Sequence, residues 1–282
     1  MTNLEKKIDF AVVIEVKNAN PNGDPLDEGR PRVTQDGLGE ISDVCLKRKI
    51  RNKLMEMGES IFVQSEENKC DEFNSLQSRA KNVLGADLYT EKSLKDKSCK
   101  TWFDVRAFGQ LFAFPKGKNK EQTVSVGIRG PVSIQPAFSK DPVITESIQI
   151  TKSVNGVEAE EGKIKGHDTM GKKSRIAYGV YVTYGSIHPQ LAEKTNFSQE
   201  DADKLKQALI GMFDNDVSAS RPSGSISVVK LIWWEHDCKN GQLPSYKVHS
   251  SLEIEKKIDN PSCLNDYSIK VNQIENLKCE VF

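Results

Sequence analysis

The chain has 282 residues, 37% of them hydrophobic and 28% charged, and forty basic residues balance forty acidic ones. That length admits one large domain or a core with insertions. The composition reads as a soluble globular protein, and no apolar stretch approaches the length of a membrane helix. A neutral total argues against a strong stand-alone nucleic-acid binder, although phosphate binding depends on where cations sit more than on their sum.

The opening residues do not read as a signal peptide, because Asp9 and Glu15 interrupt the first apolar run. Cys45, Cys70, Cys99, Cys238, Cys263 and Cys279 contain no C-x-x-C pair. Free thiols in a cytoplasmic setting are therefore expected, with no structural zinc, no disulfide framework and no cofactor.

In chain order, Ile8, Phe10, Val12, Ile14 and Val16 recur at period two, while Ala11 and Val13 keep the other side partly apolar. This pattern predicts a central strand covered on one face and semi-buried on the other. A loop from Asn18 to Glu40, dense in Asn, Pro, Gly and Asp, exceeds the usual connection length, and such loops are commonly functional or disordered. Ser42 then reads as an N-cap and Asp43 as a first-turn acid of a helix running to about Met57. Leu46, Ile50, Leu54 and Met57 form its apolar stripe, Lys47 and Arg51 lie one turn apart on a flank, and Lys49 and Lys53 lie on the other.

Residues 64–101 read as a mostly helical, polar insertion. Strand signals return at Thr123–Phe138. A second excursion at 140–173 opens on Ile144, Ile148 and Ile150, turns acidic, then basic at Lys163, Lys165, Lys172 and Lys173, as a protruding hairpin would. Ile176–Tyr184 is β-rich. Ser198 with Asp201 forms a capping box for a second amphipathic helix carrying Leu205, Ala208, Leu209, Met212 and Phe213. Ser225–Trp234 reads as a strong strand and Tyr246–Ile254 as a further one. Without the insertions the order is the α+β, ferredoxin-like β-α-β-β-α-β plan, shared by RNA-recognition domains, which alone says nothing of function.

The residues that stand out chemically are the Asn/Gly loop and the helix after it. A helix start offers free N–H groups and partial positive charge to a phosphate. Cys45–Lys53 adds five cations and no acid. Lys47, Arg48 and Arg51 could therefore clamp a backbone without reading sequence, with Arg30 and Arg32 adding to the patch. A solvated, lysine-rich face is the competing reading. Because the three clamp positions avoid the apolar stripe, replacing them is expected to change stability little. Asn18, Asn20, Asn22 and Gly23 are also good turn residues, which suffices to explain them taken alone.

Catalytic signals are sparse. His167, His188, His236 and His249 show no metal-ligand spacing, and His236-Asp237-Cys238 matches a triad only in composition. Asp24, Asp36 and Asp43 would permit metal-assisted cleavage, yet turn and cap roles explain them equally well. Trp233 and Trp234 point to opposite faces of their strand, so at least one is core, and for the other base stacking is a weaker explanation than burial.

Several strings carry a family resemblance. They are Asn20-Pro-Asn-Gly-Asp-Pro25, Pro31-Arg32, Gly37-Leu38-Gly39, the run Ser42–Asn52, Asp104–Gly109, Gly127–Val132, Met170–Lys173 and Tyr178–Tyr181. From the first strand to about Glu253 the chain resembles the Cas-seven backbone family of CRISPR effectors, in its type I-C, Csd-two-like branch. The resemblance implies a hand-shaped Cascade subunit. Its palm would take 1–63, 111–139 and 174–254, a helical finger 64–110 and a thumb hairpin 140–173, leaving 255–282 as a C-terminal tail. It implies a non-catalytic protein that coats CRISPR RNA in several copies and leaves the guide bases free to pair with target DNA. The RNA would meet Lys47, Arg48, Arg51, Asn18, Asn20, Asn22 and Arg32, with Arg106 and Phe108 from the finger side and Arg129 from the palm. Lys163, Lys165, Lys172, Lys173 and an apolar wedge, Met170, would come from the thumb. Implied partners are further copies, the CRISPR RNA-processing endonuclease subunit, a large PAM-reading subunit and a recruited helicase-nuclease, with no membrane. RNA cleavage by a loop aspartate, as in type III backbones, is the alternative.

Overall fold

The computed structural model describes residues 3–85, 88, 90–115, 123–152 and 169–282. The elements are β1 (Ile8–Ala19), β2 (Gly23–Asp24), β3 (Arg30–Pro31), β4 (Leu38–Ile41), α1 (Asp43–Glu56), α2 (Leu76–Leu84), α3 (Glu91–Thr101), α4 (Phe103–Phe108), β5 (Gly109–Pro115), β6 (Thr123–Arg129) and β7 (Val132–Ile134). They continue as β8 (Ala137–Pro142), β9 (Thr145–Lys152), β10 (Thr169–Ile187), α5 (Pro189–Thr195), α6 (Gln199–Ile210), β11 (Ile226–Glu235), α7 (Ser245–His249), β12 (Leu252–Lys256), β13 (Tyr267–Val271) and β14 (Lys278–Val281).

The fold is mixed α+β around one antiparallel sheet in the order β14-β11-β1-β10-β8-β4, with β7 and β9 also paired to β10. The long β10 is its spine. One edge pairs with β1 from Ile176 to Ile187, and the other pairs in turn with β9, β8 and β7. On one face, Phe10, Val12, Ile14, Leu231 and Trp233 meet Leu46, Ile50 and Leu54 of α1 and Leu205, Ala208 and Leu209 of α6. Each such large apolar side chain contributes roughly 1.5–3 kcal/mol by leaving water. Ser42 caps α1, accepting from the Cys45 N–H at 3.2 Å. Ser198 and Asp201 form the expected capping box on α6.

The second face departs from expectation. Ala11, Val13, Ile232 and Trp234 are buried under Val248, Leu252, Ile254 and Tyr267, so β1 is enclosed on both sides. Both tryptophans are core, and neither is free to stack on a base. Residues 255–282 are no tail. β13 pairs with β12 to cover this face, and β14 extends the main sheet beside β11. The short period-two runs around Ile269 and Cys279 are too polar to announce this from sequence.

The strand expected at Tyr246–Ile254 begins instead as α7. Four-residue spacing on a helix places Ser245 and His249 on one side, where both face a buried polar cluster at the start of β1. Lys7 Nζ donates to Asp9 Oδ2 at 2.9 Å and to Ser245 Oγ at 2.8 Å. His236 Nδ1 accepts from the Gln242 N–H at 3.0 Å, so its Nε2–H is the donor to Asp9 Oδ2 at 2.9 Å. His249 Nε2 lies 3.8 Å from the other Asp9 oxygen.

The helical insertion has its own core, with Phe62, Ala80, Leu84, Leu94, Trp102 and Val105 packed against Phe112 and Val126. Strands β5 and β6 pair only with one another among the described residues and close this core. Residues 111–115 and 123–129, expected in the palm, thus join the helical lobe and not the main sheet. Their apolar side chains have the aromatic cluster of Phe62 and Trp102 to pack on, which periodicity cannot reveal.

The buried cluster sets a pH dependence. Burial pulls the Asp9 carboxyl up, but hydrogen bonds from His236, Lys7 and Ser245 outweigh it and hold it below its ordinary value. Burial lowers both His188 and His249, so both are neutral in the fold at pH 7. The unfolded chain, with imidazoles titrating near about 6.5, binds protons first, so stability falls as pH drops below about 6.5. The Asp9 contribution is lost further down, below about pH 4. The urea midpoint is expected to fall between pH 7 and 5, less steeply in His249→Asn. Asp9→Ala, which strands the Lys7 ammonium, is expected to cost about 3–5 kcal/mol at pH 7.

Candidate nucleic-acid interface

Three surface cavities lie near the N-terminal part of α1 and the loop between β1 and β4, and two of them are lined by that loop. The first, about 650 Å³, is lined by Asn22, Cys45, Arg32, Arg48, Arg51 and Arg221 among others. The second, about 430 Å³, shares Arg48, Ser65 and Arg221 with it and continues along α1. The third, about 370 Å³, lies between this loop and the base of the β9–β10 ribbon and is lined by Asn20, Arg30, Lys172 and Lys173.

The loop is a built structure. Asn22 Oδ1 accepts from both the backbone N–H and the hydroxyl of Ser42, at 2.9 and 2.8 Å, and so positions the residue that caps α1. The Asn20 N–H donates to the Ser220 carbonyl at 2.9 Å, and its side-chain amide donates to the Gly29 carbonyl at 2.7 Å. Asn18 is exposed with φ at 53°, a left-handed turn that asparagine tolerates. Gly39 explains the Gly37-Leu38-Gly39 string, because a Cβ there would meet the Tyr181 phenol oxygen at 2.0 Å.

The five cations of α1 divide sharply. Lys49 is buried against Asp216, which also binds Arg221 Nε at 2.9 Å. Arg51 Nε donates to the buried Asp104 at 2.9 Å, with its guanidinium 5.3 Å above the half-buried Phe108 ring. Lys53 reaches Glu56 and Asp214, and Lys47 pairs with Asp43 at 3.0 Å. Arg48 is exposed and makes no ion pair among the described residues, so it is the cation of α1 with its charge at the cavity mouth. Arg32 pairs with Asp24 at 3.3 Å while still lining the first cavity.

Other expected contacts are dispersed. Arg106 holds Asp201 through two bonds of 3.0 and 2.8 Å and lies 4.7 Å above the Phe103 ring. Its guanidinium is a tie between the helical lobe and the start of α6, and it lines none of the three cavities. Arg129 is exposed at the end of β6, outside them. Lys172 and Lys173 line the third cavity, with Lys172 Nζ 3.8 Å from Glu28. The Met170 backbone lies opposite Thr151 in the ribbon. Lys163, Lys165 and the Met170 side chain lie outside the described residues.

Arg221 and Ser220 were not singled out by sequence. They sit in the Ser/Pro/Gly-rich loop before β11, where a lone arginine carries no periodic signal. Among the described residues, no three His, Cys, Asp or Glu side chains gather as a metal site. Asp24 accepts from the Leu26 N–H and Arg32, and Asp43 holds Lys47. Burial raises the Cys45 thiol against the pull of Lys49 and Arg48, which keeps it a poor nucleophile.

The family model described as CRISPR-associated protein Cas7 matches residues 6–272. A CRISPR-associated protein Cas7 from Haloferax volcanii is 30% identical over 220 residues, which is 73% of this chain and 63% of that protein. The chain thus spans a little under two thirds of that relative. A chain of a solved CRISPR RNA-guided surveillance complex, pre-nicking, superposes with a TM-score of 0.49 at 14% identity, over 81% of this chain and 78% of its own. A chain of another CRISPR RNA-guided surveillance complex gives 0.44 at 16%, over 81% and 68%.

The division of cations predicts a division of effects. Arg51→Ala leaves the Asp104 carboxylate buried without its counter-charge and is expected to cost about 3 kcal/mol in urea unfolding. This corrects the expectation that the position is dispensable for stability. Arg48→Ala is expected to change stability by no more than about 0.5 kcal/mol.

Proposed function

Because the chain belongs to the CRISPR-associated Cas7 family, we propose that it is the non-catalytic CRISPR RNA-binding backbone subunit of a type I-C Cascade complex. In this reading copies line up along the guide RNA and present its bases to target DNA. The observation that carries it is the run of cavities around the β1–β4 loop, where Arg32, Arg48, Arg51 and Arg221 meet at one and Arg30, Lys172 and Lys173 at the next. The lining groups are cations, amides and hydroxyls, which suit phosphate and sugar and are indifferent to base identity.

The palm of this subunit is the set β11-β1-β10-β8 with α1 and α6 on one face, the strand order of an RNA-recognition-like domain. Its second sheet face is buried by α7, β12 and β13, so the RNA path runs over the loop edge and not across the sheet. The β9–β10 ribbon serves as the thumb. Of the three candidate aspartates Asp24, Asp36 and Asp43, the first and last are engaged in ion pairs, which supports a non-catalytic role over loop-aspartate cleavage. No metal-dependent cleavage of complementary RNA is expected, and a ladder of fragments lost in Asp24→Ala would reverse this.

A chain of zero formal net charge binds RNA weakly alone, with non-specific dissociation constants around 10⁻⁴ to 10⁻⁶ M. Affinity then depends on neighbouring copies binding together. The purified protein is expected to carry RNA of uniform length, seen as excess absorbance at 260 nm. The ribbon supplies a cleaner test. Thr145 and Ile176 are cross-strand partners, so replacing 146–175 with a two-residue Asn-Gly turn preserves the buried Ile176 and its pairing with β1. Wild-type affinity is expected to climb steeply with RNA length, and that of the shortened variant to stay nearly flat. Equal steepness would remove the ribbon from the assembly.

A further inference from the structure

One residue lining the third cavity carries an unmet hydrogen-bond acceptor just beneath its surface. Asn20 is 7% exposed and lines it. Its amide nitrogen is committed to the Gly29 carbonyl, which fixes the orientation of the group and leaves Oδ1 buried with no hydrogen-bond partner. A buried acceptor in that state is unfavourable, and it calls for a donor. The arrangement depends on Gly23, because a Cβ there would lie 2.7 Å from the Gly29 carbonyl oxygen that holds the amide.

Around this acceptor the cavity presents Arg30, Lys172 and Lys173, with Ser147 and Ser174 joined by a 3.0 Å hydrogen bond on the ribbon side. Glu28 faces Lys172 at 3.8 Å and is largely exposed, so it offsets part of one charge only. A ligand that fits must offer both a hydrogen-bond donor to the amide oxygen and anionic oxygens to the cations that line the same cavity. A phosphodiester alone has only acceptors and is repelled by Oδ1. A lysine or arginine side chain supplies a donor but is repelled by the three cations. A ribonucleotide supplies both, since its 2′-hydroxyl is a donor on the carbon next to the one bearing the 3′-phosphate.

We infer that this cavity is a ribose subsite in which Asn20 Oδ1 accepts from the 2′-hydroxyl while Arg30, Lys172 and Lys173 hold the adjoining phosphate. The inference rests on the RNA-binding reading and adds to it a means of telling RNA from DNA. Asn20 is then a specificity residue, whereas Arg48 contributes charge alone.

The test uses the full chain and three oligonucleotides of one sequence: all-ribose, 2′-fluoro and 2′-deoxy. The 2′-fluoro strand keeps an RNA-like sugar but cannot donate. Wild type is expected to bind it about three- to tenfold more weakly than RNA per engaged site, as the loss of one neutral hydrogen bond dictates. The 2′-deoxy strand is expected to bind at least as weakly. In Asn20→Ala the ratio of RNA to 2′-fluoro affinity is expected to approach one. In Arg48→Ala affinity falls for both strands and the ratio is kept. Equal binding of RNA and 2′-fluoro RNA by wild type overturns the subsite while leaving RNA binding intact, and needs no folded variant. An unchanged ratio in a folded Asn20→Ala places the hydroxyl contact elsewhere and also overturns it. Failure of wild type to bind any of the three would instead remove the underlying RNA-binding reading.

Discussion

The enclosure of β1 on both faces is the constraint from which the rest of the architecture follows. Its even-numbered apolar residues meet α1 and α6, and Ala11 and Val13 meet the C-terminal cover. Such a strand cannot shift register by one residue without exchanging two different cores. Its neighbours β10 and β11 are therefore fixed in turn. At its first residues the Lys7–Asp9–His236 cluster adds a polar lock that engages α7 from the opposite end of the chain. The loop that lines two of the three cavities is anchored directly to the end of this strand.

That anchoring determines what the cations can do. A run of five positive charges on one short helix reads as a single patch, but folding gives each a different environment. Lys49 and Arg51 are turned into the body of the protein to neutralise Asp216 and Asp104. What remains at the surface is Arg48, joined by Arg221, Arg30 and the ribbon lysines from distant parts of the chain. The proposed interface thus draws on four separate segments, which is consistent with a protein whose total charge is zero.

Much of the fold was legible in the sequence where one physical rule acts locally. The stripe of α1, the capping box at Ser198 and the alternation of β1 each follow from a single periodicity. The site was less legible, because its deciding interactions join residues far apart: Arg51 with Asp104, Arg106 with Asp201, Lys49 with Asp216. No spacing rule distinguishes an arginine that will bind phosphate from one that will pair with a carboxylate ninety-five residues away. The same holds for the closing strands. Their apolar residues are few, and they earn their place by covering a face that β1 alone declares only through Ala11 and Val13. Asn22 shows the converse, since good turn chemistry concealed a residue that orients a helix cap.

The nineteen-residue β10 has a mechanical consequence. Its first part forms one side of the protruding ribbon and its last part lies at the centre of the sheet, with no turn, loop or glycine-rich break between them to act as a hinge. The seven paired residues from Thr169 to Arg175 extend about 23 Å beyond Ile176 at the usual rise per residue. A push on the outer end is carried along continuous backbone to Ile176, where it would have to disturb the pairing with Ala19 beside the Asn20 loop. The described part of the ribbon therefore acts as a stiff extension of the central sheet, tied to it through one unbroken strand.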